Sequence, residues 1–437
     1  MLVRRPADNM DLLALHELDP VRYPCLLESV AHGSPQSRYD ILFAFPGERI
    51  IAPDDKRDFL NRFNRSWRNS RDADSATNNS ELPFRGGWLV YLGYELAAEI
   101  EPTLDLPANH GQLPVACAIR IPAAVILDHA HQELLLVVES GVQQLIAIME
   151  DDLDRALNVT DGKKVSPVHV VMQPDDPARF LNAVKRTKAY IRDGDIFQAN
   201  LSRLWRGKLP ESISDVDIYQ QLRDSNPAPF ACLARLPGGS ILSSSPERLV
   251  STHAGIIQTR PIAGTRPRDT SRQALLADTK ERAEHIMLID LERNDLGRVC
   301  VPGSIEVDEL MGLETYEHVH HIVSNVTGRL AKGIGPADII RAVFPGGTIT
   351  GCPKVRAMEI IAELEGKARG AYTGSIGYVN NDGDMDFNIL IRTIVREGDT
   401  ISVRAGAGIV ADSLPARELD ETCHKARGML HALGSSA

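Results

Sequence analysis

Two pairs of glutamates are the side chains in this sequence best spaced to act together. Glu281 and Glu284 stand three residues apart, which puts both on one face of a helix. Ala277 precedes them on that face, and Leu288 and Leu291 follow, so the pair interrupts an apolar stripe. Carboxylates on a face that becomes buried need a metal or a cation beside them. Glu418 and Glu421 repeat the spacing alongside Leu419, Cys423, Ala426, Leu430 and Leu433. Four carboxylates from two helices suit a hard cation such as Mg2+, which keeps waters and takes one or two protein ligands. The competing reading is solvated surface. Glu421 and Lys425 form a Glu-to-Lys pair four apart, and Lys280 and Arg282 stand next to Glu281, as exposed helix faces commonly do. Spacing alone leaves both readings open.

A second candidate is Phe344-Pro-Gly-Gly-Thr-Ile-Thr-Gly-Cys-Pro-Lys354, a glycine-rich turn feeding a helix near Pro353. It is not a phosphate loop, because G-x-x-x-x-G-K would need lysine at 352, where Cys352 stands. Free N–H groups and the helix dipole there favour an anion, carboxylate or phosphate; a plain tight turn explains the same residues. Ala405-Gly-Ala-Gly408 exposes backbone without side chains. Arg392 sits in Ile-Leu-Ile-Arg-Thr, an apolar strand where a guanidinium needs an anionic partner from protein or substrate. His318, His320 and His321 cluster in Glu-His-Val-His-His, a setting more often structural than catalytic.

These residues need elements to hold them. Phe180, Val184, Thr187 and Ile191 recur at helical spacing and Gly194 supplies a stop. Further helices are expected over about 272–291, 353–366 and 416–433. Strands are expected over 87–92, 116–127, 133–138, 371–380, 385–396 and 400–410, with Asn381-Asp382-Gly383-Asp384 as a hairpin turn. Polar stretches at 64–83 and 158–178 read as loops, and the second marks a boundary between a β-rich lobe (1–165) and a second region (175–435). The pattern is α+β with antiparallel sheets. With 48 Lys+Arg against 59 Asp+Glu, the net charge is 48 − 59 = −11, a poor match for nucleic acid or an anionic membrane. Six cysteines without a C-x-x-C pair, no apolar run near ~20 residues and no signal-peptide pattern point to the cytoplasm.

The same segments resemble the chorismate-binding enzymes, the component I family of anthranilate synthase and 4-amino-4-deoxychorismate synthase. The resemblance runs through Gly194-Asp-Ile-Phe-Gln-Ala-Asn-Leu-Ser202, Ser244-Ser-Pro-Glu-Arg248, Arg260-Pro-Ile-Ala-Gly-Thr265, Glu281-Arg-Ala-Glu-His285 with Asp290-Leu-Glu-Arg-Asn-Asp295, the Gly347–Met358 turn and helix, Gly374-Ser-Ile-Gly-Tyr378 and Glu418-Leu-Asp-Glu-Thr422. It implies large antiparallel sheets packed as a sandwich with helices outside. It implies Mg2+ held by Glu281, Glu284, Glu418 and Glu421. Chorismate would contact Thr265, Tyr378, Arg392, the backbone of Gly406, Ala407 and Gly408, and Lys425, with His321 as the active-site histidine. Tyr23-Pro-Cys-Leu-Leu-Glu-Ser29 and Asn226-Pro-Ala-Pro-Phe230 are similar to the family's tryptophan pocket, placing Leu27, Glu28, Ser29, Asn226 and Pro227 there.

Gln198 occupies the position where water-adding relatives carry a lysine base, so the resemblance favours nitrogen as nucleophile, delivered by a separate glutamine amidotransferase subunit. The product is harder to read. Ala263 stands where many aminodeoxychorismate synthases have a nucleophilic lysine, and alanine there follows the anthranilate pattern. Gly374-Ser-Ile-Gly-Tyr378, Met385-Asp-Phe-Asn-Ile-Leu-Ile-Arg-Thr393 and Arg38-Tyr-Asp-Ile-Leu42 look like the aminodeoxychorismate branch. The expectation is 4-amination that does not use the lysine, with ammonia reaching C4 directly or by way of C2. Anthranilate formation is the alternative, and a non-enzymatic acidic metal-binding protein a remoter one.

Overall fold

The computed structural model describes the chain apart from residues 8–9, 31–37, 53–56, 71–80, 160–166, 268–278, 316–318 and 436–437. Period-two alternation sets its architecture. Along Tyr39–Ala44, Ile41 and Phe43 face one way, Leu42 and Ala44 the other, and all four are buried. Such a strand reads as one continuous apolar run because both of its faces are covered.

Two antiparallel sheets result, of 12 and ten strands among the described residues. Their inner faces meet in a core where Cys25, Ile41 and Phe43 of the larger sheet pack with Leu89, Tyr91 and Ile119 of the smaller. Helices Leu12–Leu18, Leu145–Val159, Asp215–Ser225 and Pro415–Ala432 cover the outer face of the larger sheet, burying Leu15, Met149, Leu222 and Leu430 against Leu26 and Leu42. Helices Phe59–Asn69, Pro336–Val343 and Thr279–Gly297 do the same over Trp88 and Val90 of the smaller sheet. The fold is the α+β sandwich with helices outside that the sequence indicated. Among the described residues no helix is long and apolar enough to cross a membrane.

Several expected boundaries move. The divide between 1–165 and 175–435 does not separate the hydrogen bonding, because both sheets draw strands from both sides. Cys25–Glu28 pairs with Phe230–Leu236, and Gly87–Leu92 with Ser375–Asn380. The expected strand 116–127 is two, Ala116–Ile121 and Ala123–Asp128, in different sheets. Pro122 between them has no N–H to continue a ladder. The expected strand 385–396 likewise splits into Met385–Asn388 and Thr393–Glu397, one in each sheet. The expected loop 64–83 begins as helix Phe59–Asn69. Its buried Phe59, Phe63 and Trp67 recur four apart behind a polar exterior, which hid the helix. The last two expected helices are present as Lys354–Glu365 and Pro415–Ala432. The helix expected over 272–291 is described from Thr279 and continues to Gly297.

One buried ion network ties helix Lys354–Glu365 to the larger sheet. Arg369 and Arg404 reach Glu365 at 2.7 and 3.2 Å, and Ser202 donates to the same carboxylate from its backbone (2.8 Å) and its hydroxyl (2.9 Å). Burial by itself would raise the Glu365 carboxyl, but the two arginines outweigh it and hold the group below its usual range. Replacing Glu365 by Ala leaves two buried guanidinium groups short of their counter-charge, which costs about 3–5 kcal/mol. The expected result is a large fall in the urea midpoint at unchanged denaturant slope. A midpoint close to that of the native chain would show that other groups satisfy both arginines.

Candidate active site

Two neighbouring strands, Gln198–Lys208 and Thr400–Ile409, build the floor of the site. Their register pairs Ala199 with Ile409 and Leu201 with Ala407 on one face, and Asn200 with Gly408 and Ser202 with Gly406 on the other. On the first face Ala199, Leu201, Ala407 and Ile409 pack with Phe180, Val184, Ile360 and Ile361 of two covering helices. On the second face lie Gln198, Asn200 and the two glycines. A Cβ at Gly408 would stand 2.5 Å from Gln198 Nε2 and 3.8 Å from Glu284 Oε1. One at Gly406 would stand 2.5 Å from the Tyr372 hydroxyl and 2.6 Å from Asn200 Oδ1. Any larger residue at either glycine would displace these groups, so glycine keeps the floor open and its backbone accessible.

Above the floor stands Glu247, 6% exposed, accepting a 2.8 Å hydrogen bond from the Thr348 hydroxyl in the glycine-rich turn. Burial raises its carboxyl to about 7, against the opposing pull of Thr348, Lys425 and Arg392. A carboxyl that changes state near neutrality beside two cations is equipped to donate a proton. Arg392 is itself desolvated, which lowers its proton affinity, while Glu247 raises it. Its backbone is left-handed (φ 51°) at the point where the chain crosses from one sheet to the other, a conformation held at a cost of order 1–3 kcal/mol in a non-glycine residue. Deeper still, Lys354 bonds Asp295, and burial and Asp295 together raise the Glu292 carboxyl beside Gly347. The glycine-rich turn carries the Thr348 hydroxyl to the Glu247 carboxyl.

Glu284 reaches the floor, with Gln198 Nε2 3.5 Å from its carboxylate. Glu281 lies one turn earlier on the same helix and both are half-buried, while Glu418 is 9% exposed and Glu421 pairs with Lys425 at 2.7 Å. Among the described residues no group of three or more His, Cys, Asp or Glu is arranged to hold a metal ion. The four glutamates are thus not gathered around one point here. Their hard-oxygen chemistry still fits Mg2+, which needs one or two protein carboxylates and otherwise keeps water or substrate oxygens. His321 is buried, and its strand pairs it with Thr265; Ala263 pairs with Ile322. His318 lies outside the described residues.

Tyr378 is elsewhere. It lines a separate cavity of about 240 Å³ between the sheets, with Leu27, Glu28, Ser29, Phe230 and Arg248. The tyrosine that faces the floor is Tyr372, six residues earlier, held by the Arg369 guanidinium 5.5 Å from its ring. Burial pushes its hydroxyl up to about 12, so it stays protonated and can donate. Leu27, Glu28 and Ser29 line that cavity, whereas Asn226 turns its amide onto the Ser244 hydroxyl (2.6 Å) and Pro227 is not among the lining residues. Arg248 spans that cavity in a two-point pair with Asp386, 2.9 Å at each contact. Glu247, Tyr372, Thr348 and Asn200 are the site residues that spacing did not single out. A glutamate wedged after Ser-Ser-Ser-Pro in an otherwise buried segment was the available signal for the first.

Residues 25–431 match the family described as chorismate binding enzyme. The chain is 41% identical over 383 residues to aminodeoxychorismate synthase component 1 of Bacillus subtilis, covering 84% of this chain and 81% of that one. It is 42% identical over 381 residues to anthranilate synthase component 1 of Streptomyces coelicolor, covering 80% and 73%. The crystal structure of anthranilate synthase component I from Streptococcus pneumoniae superposes with a TM-score of 0.79 at 32% identity, covering 91% of this chain and 93% of that one. Fold and sequence together make this chain a member of the chorismate-binding enzyme family.

Proposed function

We propose that the chain is the component I of an aminodeoxychorismate synthase, converting chorismate and ammonia to 4-amino-4-deoxychorismate and water. What supports amination is the neutral amide of Gln198 on the floor of the site, because an amide cannot deprotonate water; Glu247, its carboxyl raised to about 7, is available as the acid. Glu247 protonates the departing C4 hydroxyl, which leaves as water. Ammonia forms the C–N bond, and the new ammonium nitrogen gives up one proton, which resets Glu247. Arg392 and the Gly406–Gly408 backbone receive the substrate's carboxylates, and Lys425 balances their charge. Tyr372 takes the contact role expected of Tyr378. Thr265 and His321, paired across their strands, flank the ring. Glu281, Glu284, Glu418 and Glu421 would hold Mg2+, which when bound draws charge from the ring carboxylate and eases loss of the hydroxyl.

Relatives named for either product match about equally well, so identity does not choose between them. The Gly374–Tyr378 and Met385–Thr393 segments favour the 4-amino product, and Ala263 excludes a covalent lysine at that position. The second reading, anthranilate synthase, rests on Ala263. Relatives carrying the name component 1 support ammonia supply by a separate glutamine amidotransferase subunit. The cavity lined by Leu27, Glu28 and Ser29 we assign to tryptophan, an aromatic ligand that suits its Phe230 wall and the Arg248–Asp386 pair.

Three measurements test these assignments. Purified protein with chorismate and an ammonium salt should form, only when Mg2+ is supplied, an amino compound that an aminodeoxychorismate lyase converts to 4-aminobenzoate. Anthranilate formed without the lyase would assign the chain to the other branch, and turnover in a chelator would remove the metal. At constant free ammonia, kcat/KM should fall as pH rises through about 7, where Glu247 loses its proton. Glu247→Gln should lower kcat roughly 10²–10⁴-fold and abolish that limb; a near-native rate with the same profile would assign the proton elsewhere. Calorimetric titration with tryptophan should show saturable binding. Absence of heat, with no tryptophan carried through purification, would empty that assignment.

A further inference from the structure

Two acceptors on the site face of strand Gln198–Lys208 have no donor in the structure, Gln198 Oε1 and Asn200 Oδ1. Their residues are 4% and 8% exposed. A buried carbonyl oxygen without a donor is unfavourable by about 1–3 kcal/mol, and native proteins rarely leave one unmatched. Both side chains lie over the glycines that open the floor, Gln198 above Gly408 and Asn200 above Gly406. The strand has thus set two oxygens toward the reaction space, and each calls for a ligand hydrogen.

The chemistry of the reactants says which hydrogen. The departing hydroxyl must receive a proton, so an acceptor aimed at it would oppose its loss, and Glu247 already serves it. Ammonia has the opposite requirement. Its single lone pair has to stay directed at the ring, so its N–H groups must be held by acceptors and not by donors. A neutral amide oxygen does this without the charge that would trap the nitrogen as ammonium.

We propose that Asn200 Oδ1, with Gln198 Oε1 beside it on the same face, is the docking point of the ammonia nucleophile. The assignment rests on the amination reading above. It explains why glycine is required at 406, where a Cβ would stand 2.6 Å from that oxygen.

Initial rates with ammonium chloride at fixed alkaline pH, with Mg2+ and saturating chorismate, test it in Asn200→Leu. This change removes the acceptor while keeping the number and branching of the side-chain heavy atoms. Loss of one neutral hydrogen bond should raise the KM for ammonia roughly three- to tenfold and leave the KM for chorismate unaltered. The melting temperature should hold or rise, since a buried oxygen without a donor has gone. Asn200→Ala gives the same readout should leucine not fit. An unchanged ammonia KM in a folded, active variant overturns the proposal, and so does a rise confined to the chorismate KM, which would place Asn200 against the ring. Absence of any amino product from the native protein would instead overturn the amination reading beneath it.

Discussion

The pleat of two paired strands is the constraint on which the site depends. Because side chains alternate across Gln198–Lys208 and Thr400–Ile409, one set of residues can bury under helices while its neighbours remain polar or absent. A slip of one residue in that register would send Ala199 and Leu201 into the reaction space and Gln198 and Asn200 into an apolar core. The ion network around Glu365 fixes the register, since Ser202 and Arg404 come from these two strands and both bind the same carboxylate. The positions of Tyr372, held by Arg369 of that network, and of the two glycines follow from it.

Charge is handled locally. A chain of net charge −11 does not draw an anion by its overall field, so the proposed substrate would have to be met at short range by local cations such as Arg392 and Lys425. Glu247 feels both cations and, being largely buried, is nevertheless held toward its neutral form. That placement has a stability signature. Its folded-state proton affinity is raised above the ordinary value of 4.5, so its contribution favours the fold below that value and is lost as pH rises toward 7. A carboxyl held near neutrality in this way weakens the fold at neutral pH.

Much of this was legible from the residues. Helical spacing located Glu281, Glu284, Glu418 and Glu421 on the two helices that carry them, and alternation found most strands. What failed, failed for physical reasons. An apolar run does not reveal that Pro122, or Arg392 in its left-handed turn, passes the chain from one sheet to the other. Tyr372 and Tyr378 are both buried tyrosines six apart, and only the turn at 371–374 decides which one faces the floor. Glu247 belonged to no spaced pair, and its importance comes from what surrounds it in space. The glycine-rich turn before Lys354 drew notice for its backbone, and it also brings the Thr348 hydroxyl to Glu247.

Sharing both sheets between distant parts of the chain has a consequence for how the molecule is made. Strand Cys25–Glu28 waits for a partner 231 − 28 = 203 residues downstream of Glu28, and Gly87–Leu92 for one 375 − 92 = 283 residues beyond Leu92. At synthesis rates of about 5–20 residues per second, the second gap lasts roughly 15–55 s. Through that interval the nascent chain holds apolar strands with unpaired edges, the state most open to aggregation. The arrangement that builds one sandwich from both parts of the chain also ties completion of its first strands to the emergence of its last.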